Sequence, residues 1–325
     1  MGYNKDNYRR IRDEYVNKAA LARSRAEERK NELHIRFPEL REIDDALAQT
    51  GIRIMKAAVE GKKGLEDRIA ALRREVEALR GARDDFLRMQ GYPEDYTDIQ
   101  YECKKCCDTG FLEKGMCTCM KRALILAGYE SSGISTLMQK QSFENFNLDY
   151  YSKNDKYHAN MKFILKTVRQ YAKDFTTDKA RNMLFLGPTG LGKTHLSTSL
   201  AKVIIDRGYD VVYESAQNIF SDFEYDRFKS GYSEDRSGGR ASKYLECDLL
   251  IIDDLGTELS NQFTISCLYN IINTRINREQ STIISSNMTQ NDLRERYADR
   301  ITSRLLGEFK VLFFMGEDIR AQKLR

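Results

Sequence analysis

The stretch Gly187 to Thr194, reading GPTGLGKT, constrains this 325-residue chain more than any other. It follows the apolar run Met183, Leu184, Phe185, Leu186 and leads into HLSTSLA from His195. Strand, glycine-rich loop and helix in that order predict a phosphate-binding loop. Glycines let the backbone curl so that its N–H groups and the helix N-terminus face phosphate oxygens. Gly187, Pro188, Thr189, Gly190, Leu191, Gly192 and His195 are therefore expected around a nucleoside triphosphate. Lys193 is placed to reach the β- and γ-phosphates, and Thr194 to offer a hydroxyl to Mg²⁺. The bland alternative is a chance glycine-rich turn, against which the flanking strand and helix argue.

About 60 residues later, Leu249 to Ile252 form a continuous apolar run ending in Asp253 and Asp254. Such a run suits a central parallel strand covered on both faces, with its C-terminal end near the phosphate loop. Asp253 is expected to hold Mg²⁺, directly or through water, and Asp254 to orient or deprotonate an attacking water. A further strand, 281–286, ends at Asn287, whose amide can bond the γ-phosphate or the water. A helix beyond it carries Arg294, Arg296, Arg300 and Arg304, which invite a role at a neighbour's phosphate. A last strand, 311–315, precedes Gly316 and Arg320.

Between these elements, 210–213 reads as a strand and 157–174 as an amphipathic helix. Residues 216–245 interleave Phe220, Phe223, Tyr225, Arg227, Phe228, Lys229 and Tyr232. Two readings stand for this stretch: a platform for single-stranded bases, or a helix with its Phe side chains in the core.

Upstream, residues 1–90 are rich in Arg, Glu, Ala and Leu. Leu65, Ile69, Leu72, Val76, Leu79 and Phe86 recur at helical spacing, and a weaker stripe runs through Tyr8, Ile11, Tyr15, Ala19 and Ala22. A helical hairpin or short coiled coil is expected, punctuated at Gly51, Gly61 and Gly64, acting either as a spacer or as a docking arm. Cys103 and Cys106 are spaced C-x2-C, and Cys117 and Cys119 C-x-C. Two such pairs suit a structural tetrahedral Zn²⁺ site, with Asp108, Thr109 and Gly110 as the turn. Cys107 is an alternative to Cys106 as ligand, and metal-free thiols or a redox pair are the other readings. From Ala127 to Ser142 the pattern loosens into a linker. The net charge of +4 neither demands nor excludes a nucleic-acid partner. No apolar run approaches a membrane span, and the cysteine usage suits the cytoplasm.

Together, GPTGLGKT, LLIIDDLGTE (249–258), TIISSNMT (282–289), DRITSRLLGEF (299–309) and FMGEDIR (314–320) resemble the AAA+ ATPases. Within them they resemble the DnaC/DnaI/IstB group of helicase loaders and transposase helpers. The cysteine segment and FENFNLDYY (143–151) are similar to DnaC-like proteins of Gram-positive bacteria and their mobile elements. The resemblance implies an α/β fold: a P-loop AAA+ parallel sheet flanked by helices, without a full lid domain, since only 21 residues follow Arg304. A helical arm (1–95), a zinc segment (96–126) and a linker (127–142) would precede the ATPase domain (143–325).

It also implies ATP hydrolysis by Lys193 and Thr194 (Walker A), Asp253 and Asp254 (Walker B) and Asn287 (sensor I). Arg304 would be an arginine finger on a neighbouring subunit's ATP, and Arg320 a sensor II-like arginine. Asp254 departs from the usual Glu, which implies altered water placement or slow turnover. The implied cofactors are ATP, Mg²⁺ and Zn²⁺. The implied partners are a DnaB-type hexameric helicase bound through the N-terminal region, single-stranded DNA, and further copies of the chain in a hexamer or open spiral. A transposase partner and a non-hydrolysing nucleotide-gated adaptor are the rival readings.

Overall fold

The computed structural model describes residues 3–59, 65–133, 140–229 and 239–322. The chain divides into two compact units, one of residues 12–119 and one of 1–11 with 120–325.

The larger unit is built on five parallel strands: β3 (Asn182–Leu186), β4 (Val211–Ser215), β5 (Leu249–Leu255), β6 (Ser281–Ser286) and β7 (Phe309–Phe313). Their order is β4-β5-β6-β3-β7. Side chains alternate across a strand, and here both faces are dry. Met183, Phe185, Leu249, Ile251 and Ile283 enter one apolar cluster with helices α5 (Asp155–Lys173) and α6 (Lys193–Asp206). Leu184, Leu186, Leu250, Ile252 and Ile284 enter the other. That second cluster is shared with α7 (Ala216–Lys229), α8 (Ser242–Glu246), α9 (Gln262–Asn277), α10 (Gln290–Arg296) and α11 (Asp299–Gly307). Each fully covered strand side chain stabilises the layers by ~1.5–3 kcal/mol. Asn154 caps α5, its side chain accepting from Lys156 and Tyr157 N–H groups. The α/β architecture is the one expected from the motifs.

Several local expectations need correction. Helix α4 (Thr118–Ser131) runs through the start of the expected linker, because Leu124 and Ala127 are buried and Tyr129 bonds Asp206. The four arginines are shared between two helices rather than one. α10 carries Arg294 and Arg296 and ends at Tyr297, while α11 carries Arg300 and Arg304. Arg296 is tied to the buried Glu258.

In the smaller unit, α1 (Lys5–Arg36, its residues from Arg12 onward) is followed by α2 (Pro38–Val59) and α3 (Leu65–Met89). Pro38 opens α2, where a missing N–H costs nothing. Gly51 lies inside α2 and does not interrupt it; Gly61 and Gly64 fall outside the described residues. Leu33, Leu40 and Leu87 form a small core. Asp44 meets His34 at 2.7 Å and Arg83 at 2.8 Å, so Arg83 stands on α3 between Leu79 and Phe86 with its charge paired. A two-residue hairpin, β1 (Phe111–Leu112) and β2 (Gly115–Met116), lies between the cysteine pairs. Among the described residues no helix is long and apolar enough to cross a membrane.

Candidate functional site

The phosphate loop leaves β3 and is knit to the segment after β7. Phe314 N–H donates to Leu186 O at 2.7 Å, and Ile319 N–H to Gly190 O at 3.1 Å. At Gly190 (φ 76°) a Cβ would sit 1.8 Å from the Asp318 carboxylate. At Gly187 (φ 150°) it would meet the Phe314 carbonyl at 2.3 Å. Only glycine permits this approach.

Lys193, nearly buried on the first turn of α6, donates to Gly187 O at 2.5 Å, Pro188 O at 2.7 Å and Asn287 Oδ1 at 2.6 Å. Burial lowers its pKa, and Asp254 and Asp253 oppose that. Because β6 lies between β3 and β5, Asn287 stands between the loop and the two acids. Its side chain also lowers the Asp254 carboxyl. Lys193, Asn287 and Asp254 thus meet at one pocket. The consecutive acids have different surroundings, and between Ile252 and Leu255 the β5–β6 register slips, with Asp254 at φ 53°. Burial and Asp253 raise the Asp254 carboxyl, while Lys193 and Arg320 lower it.

Asp253 is buried behind Thr194 and accepts the Thr194 hydroxyl at 3.2 Å, the Tyr213 hydroxyl at 2.6 Å and the Ser285 hydroxyl. Tyr213 and Ser285 were not legible as site residues. Tyr213 is a strand aromatic like many others, and only the β4–β5 pairing brings it to Asp253. The hydroxyl–carboxylate pair of Thr194 and Asp253 is the hard-oxygen donor chemistry Mg²⁺ takes.

A pocket of about 320 Å³ is lined by Thr189 to His195 together with Asp254, Asn287, Ile319 and Arg320. Gln141, Asn145, Phe146, Asn147 and Tyr150 line it as well. Phe146 meets His195 edge to face at 5.1 Å, and Tyr151 donates to Leu191 O at 2.9 Å. Arg320 lines this pocket. Arg304 does not: it bonds Asn273 at 3.0 Å and lies 5.1 Å over the Tyr269 ring.

In the smaller unit the Sγ atoms of Cys103, Cys106, Cys117 and Cys119 all lie within 4.8 Å of one another. Cys103 and Cys117 sulfurs are 3.9 Å apart, Cys106 and Cys119 3.5 Å. A ZnS₄ tetrahedron with ~2.3 Å bonds has edges of roughly 3.8 Å, so the donors fit zinc. Cys107 (φ 50°) is exposed and lies outside the cluster, leaving Cys106 as the fourth donor. The Asp108 carboxylate accepts Glu102 and Cys103 N–H groups at 2.9 and 2.7 Å, shaping the first knuckle. Backbone N–H groups of Cys106 and Lys105 lower the Cys103 thiol to about 7, whereas burial pushes Cys106 up to about 12. Burial raises the Cys119 thiol, and the nearby Tyr15 hydroxyl lowers it.

On α7, Phe220 is buried and Phe223 packs on the core, while Tyr225 (42%) and Phe228 (70%) are exposed. Arg240 stacks on Tyr225 at 3.8 Å. The core reading therefore holds for Phe220 and Phe223 and not for Phe228; Tyr232 lies outside the described residues.

Residues 131–324 match the IstB-like ATP binding protein family. The chain belongs to that family. Over 195 residues it is 25% identical to the replicative helicase loader DnaC of Escherichia coli strain K12, covering 60% of this chain and 75% of the relative. Over 165 residues it is 26% identical to the ATP-binding protein of insertion sequence IS21 from Pseudomonas aeruginosa, covering 49% of this chain and 60% of the relative. The crystal structure of the DnaC helicase loader is similar at 23% identity and TM-score 0.44, covering 53% of this chain and 98% of that one.

Proposed function

We propose that this chain is an ATP-dependent loader of a DnaB-type replicative helicase onto single-stranded DNA, working in the cytoplasm. The observation that carries the reading is Lys193 bonded to Asn287 in one pocket with Asp254 and Arg320, backed by Asp253 on Thr194. In this reading the loop amides and Lys193 hold the triphosphate. Thr194 and Asp253 would hold Mg²⁺, which supplies charge neutralisation at the β- and γ-phosphate oxygens when bound. Asp254 accepts the proton of the attacking water, and Asn287 fixes where that water and Lys193 sit. Burial raises Asp254, so the carboxylate that must accept the proton is more basic than an ordinary Asp.

Arg304, outside its own pocket, serves the ATP of an adjacent copy in a hexamer or open spiral. ATP then acts as a switch: assembly tracks the γ-phosphate, and hydrolysis releases client and DNA. Exposed Tyr225 and Phe228 offer faces on which unpaired bases stack. Zinc held by the four cysteines would supply the cross-link that so small a knuckle needs to stay folded, and the helical arm beside it in sequence binds the helicase. The names of the DnaC relatives support this assignment. The IS21 relative supports a second one, a transposase helper with the same ATPase.

Co-purification of the full chain with a DnaB-type helicase or an IS21-type transposase, with and without ATP, separates the two. Helicase capture that changes with ATP is expected; capture of the transposase alone overturns the loader. Turnover no higher than that of Lys193→Ala, with or without single-stranded DNA, would leave a nucleotide-gated adaptor.

A further inference from the structure

Resting on the ATPase reading of the pocket, we propose that Glu258 is a positioning residue that holds Asp254 where the attacking water needs it. Glu258 ends the DDLGTE run that begins at Asp253. It is 4% exposed, yet it carries a carboxylate. Such a group is costly to bury unless it is paired and hydrogen-bonded. Its Oε2 accepts the Gly256 N–H at 2.8 Å. Its Oε1 accepts the Tyr297 hydroxyl and lies 3.6 Å from Arg296 Nε. Arg296 also donates to the Glu258 main-chain carbonyl.

The turn between the two acids needs such a hold. Asp254 sits at φ 53°, a left-handed conformation that a residue other than glycine keeps only where its surroundings impose it. Thr257 closes the turn, donating its N–H at 3.3 Å and its hydroxyl at 2.8 Å to Asp254 O. At Gly256 (φ 105°) a Cβ would meet Met288 Sδ at 2.4 Å, so the turn is pressed against the chain just after Asn287. Arg296 and Tyr297 end the helix that follows Asn287. Glu258 therefore clasps the segment leaving β5 to the segment leaving β6, and Asp254 and Asn287 meet at the pocket where those segments begin. Without the carboxylate, Gly256 N–H and the Tyr297 hydroxyl lose their acceptor, and Asp254 relaxes out of the left-handed region.

The test compares steady-state ATP turnover of the full chain with that of Glu258→Met, Glu258→Gln and Tyr297→Phe, with ATP affinity measured by calorimetry on the same samples. Glu258→Met keeps the length and loses both acceptors. Its kcat should fall about 10- to 100-fold, as for a reacting group displaced by ~1 Å, while KM and ATP affinity stay within about twofold. Glu258→Gln keeps an acceptor for Gly256 N–H and should recover most of the turnover. Tyr297→Phe keeps the ring and should lower kcat in the same pattern by a smaller factor, carrying the test if the methionine variant does not fold. Wild-type kcat in Glu258→Met, or in Tyr297→Phe where that variant carries the test, overturns the role. A loss of ATP affinity parallel to kcat, or a glutamine variant as slow as the methionine one, overturns it too. Wild-type turnover no higher than that of Lys193→Ala would bring down the ATPase reading itself, and this role with it.

Discussion

Tyr213→Phe isolates one hydroxyl at the base of the nucleotide pocket. The ring is 6% exposed on β4, so Phe keeps the packing. What is lost is the 2.6 Å hydrogen bond to Asp253, one of three hydroxyl donors on that carboxylate, and a 3.2 Å contact with Ser197. A hydrogen bond to a charged group contributes about 1.5–3 kcal/mol. For a unit of this size each kcal/mol moves the thermal midpoint by ~2–4 °C, so the larger unit should melt about 3–12 °C lower. The same bond orients Asp253 toward Thr194. Losing a partner that orients a metal-binding carboxylate weakens metal affinity by roughly 10- to 100-fold. Calorimetric titration with ATP should therefore show a smaller gain on adding Mg²⁺, while binding in EDTA stays the same. An unchanged midpoint together with an unchanged Mg²⁺ gain would refute the argument that Tyr213 supports this carboxylate.

Arg304→Glu should leave nucleotide affinity intact yet cut turnover by about 10³-fold or more. Mixing it with Lys193→Ala should restore part of the turnover, and no restoration would count against action on a neighbour's ATP. Cys117→Ser should abolish stoichiometric zinc in the purified chain, read colorimetrically, without changing nucleotide affinity. Tyr15→Phe, losing the hydroxyl near Cys119, should weaken zinc retention against a chelator by about 10-fold. Burial pushes Asp210 up to about 6 from 3.8, so the folded state holds the extra proton between those values. Its contribution to stability therefore falls as pH rises across that window. Asp210→Asn should stabilise by ~1–3 kcal/mol at pH 7.5, the gain vanishing near pH 3.8 in thermal melts.

The elements with a local signature were readable from the amino acids themselves. The phosphate loop, the apolar run into Asp253 and Asp254 and the cysteine pairs each carry their spacing within a few residues. Strand order did not, because nothing in 281–286 says that it lies between β3 and β5. That placement is what bonds Asn287 to Lys193 in the pocket that Asp254 also lines. Tyr213 and Ser285 escaped for the same reason: each acquires its meaning from Asp253, tens of positions away. The mixed character of 216–229 was visible, but only the helix face separates buried Phe220 from exposed Phe228. Cys106 and Cys107 are adjacent in sequence, and the fold separates them: Cys106 joins the cluster while Cys107 is exposed on a left-handed turn.

The hydrogen bond from Ile319 to Gly190, with Asp318 and Phe314 pressed against loop glycines, makes the segment after β7 a brace for the phosphate cradle. Residues 314–320 therefore touch Lys193's loop directly, through Phe314, Asp318 and Ile319. The Ile319 amide should accordingly be an early reporter of occupancy, its hydrogen–deuterium exchange slowing when ATP is added and staying fast in Lys193→Ala.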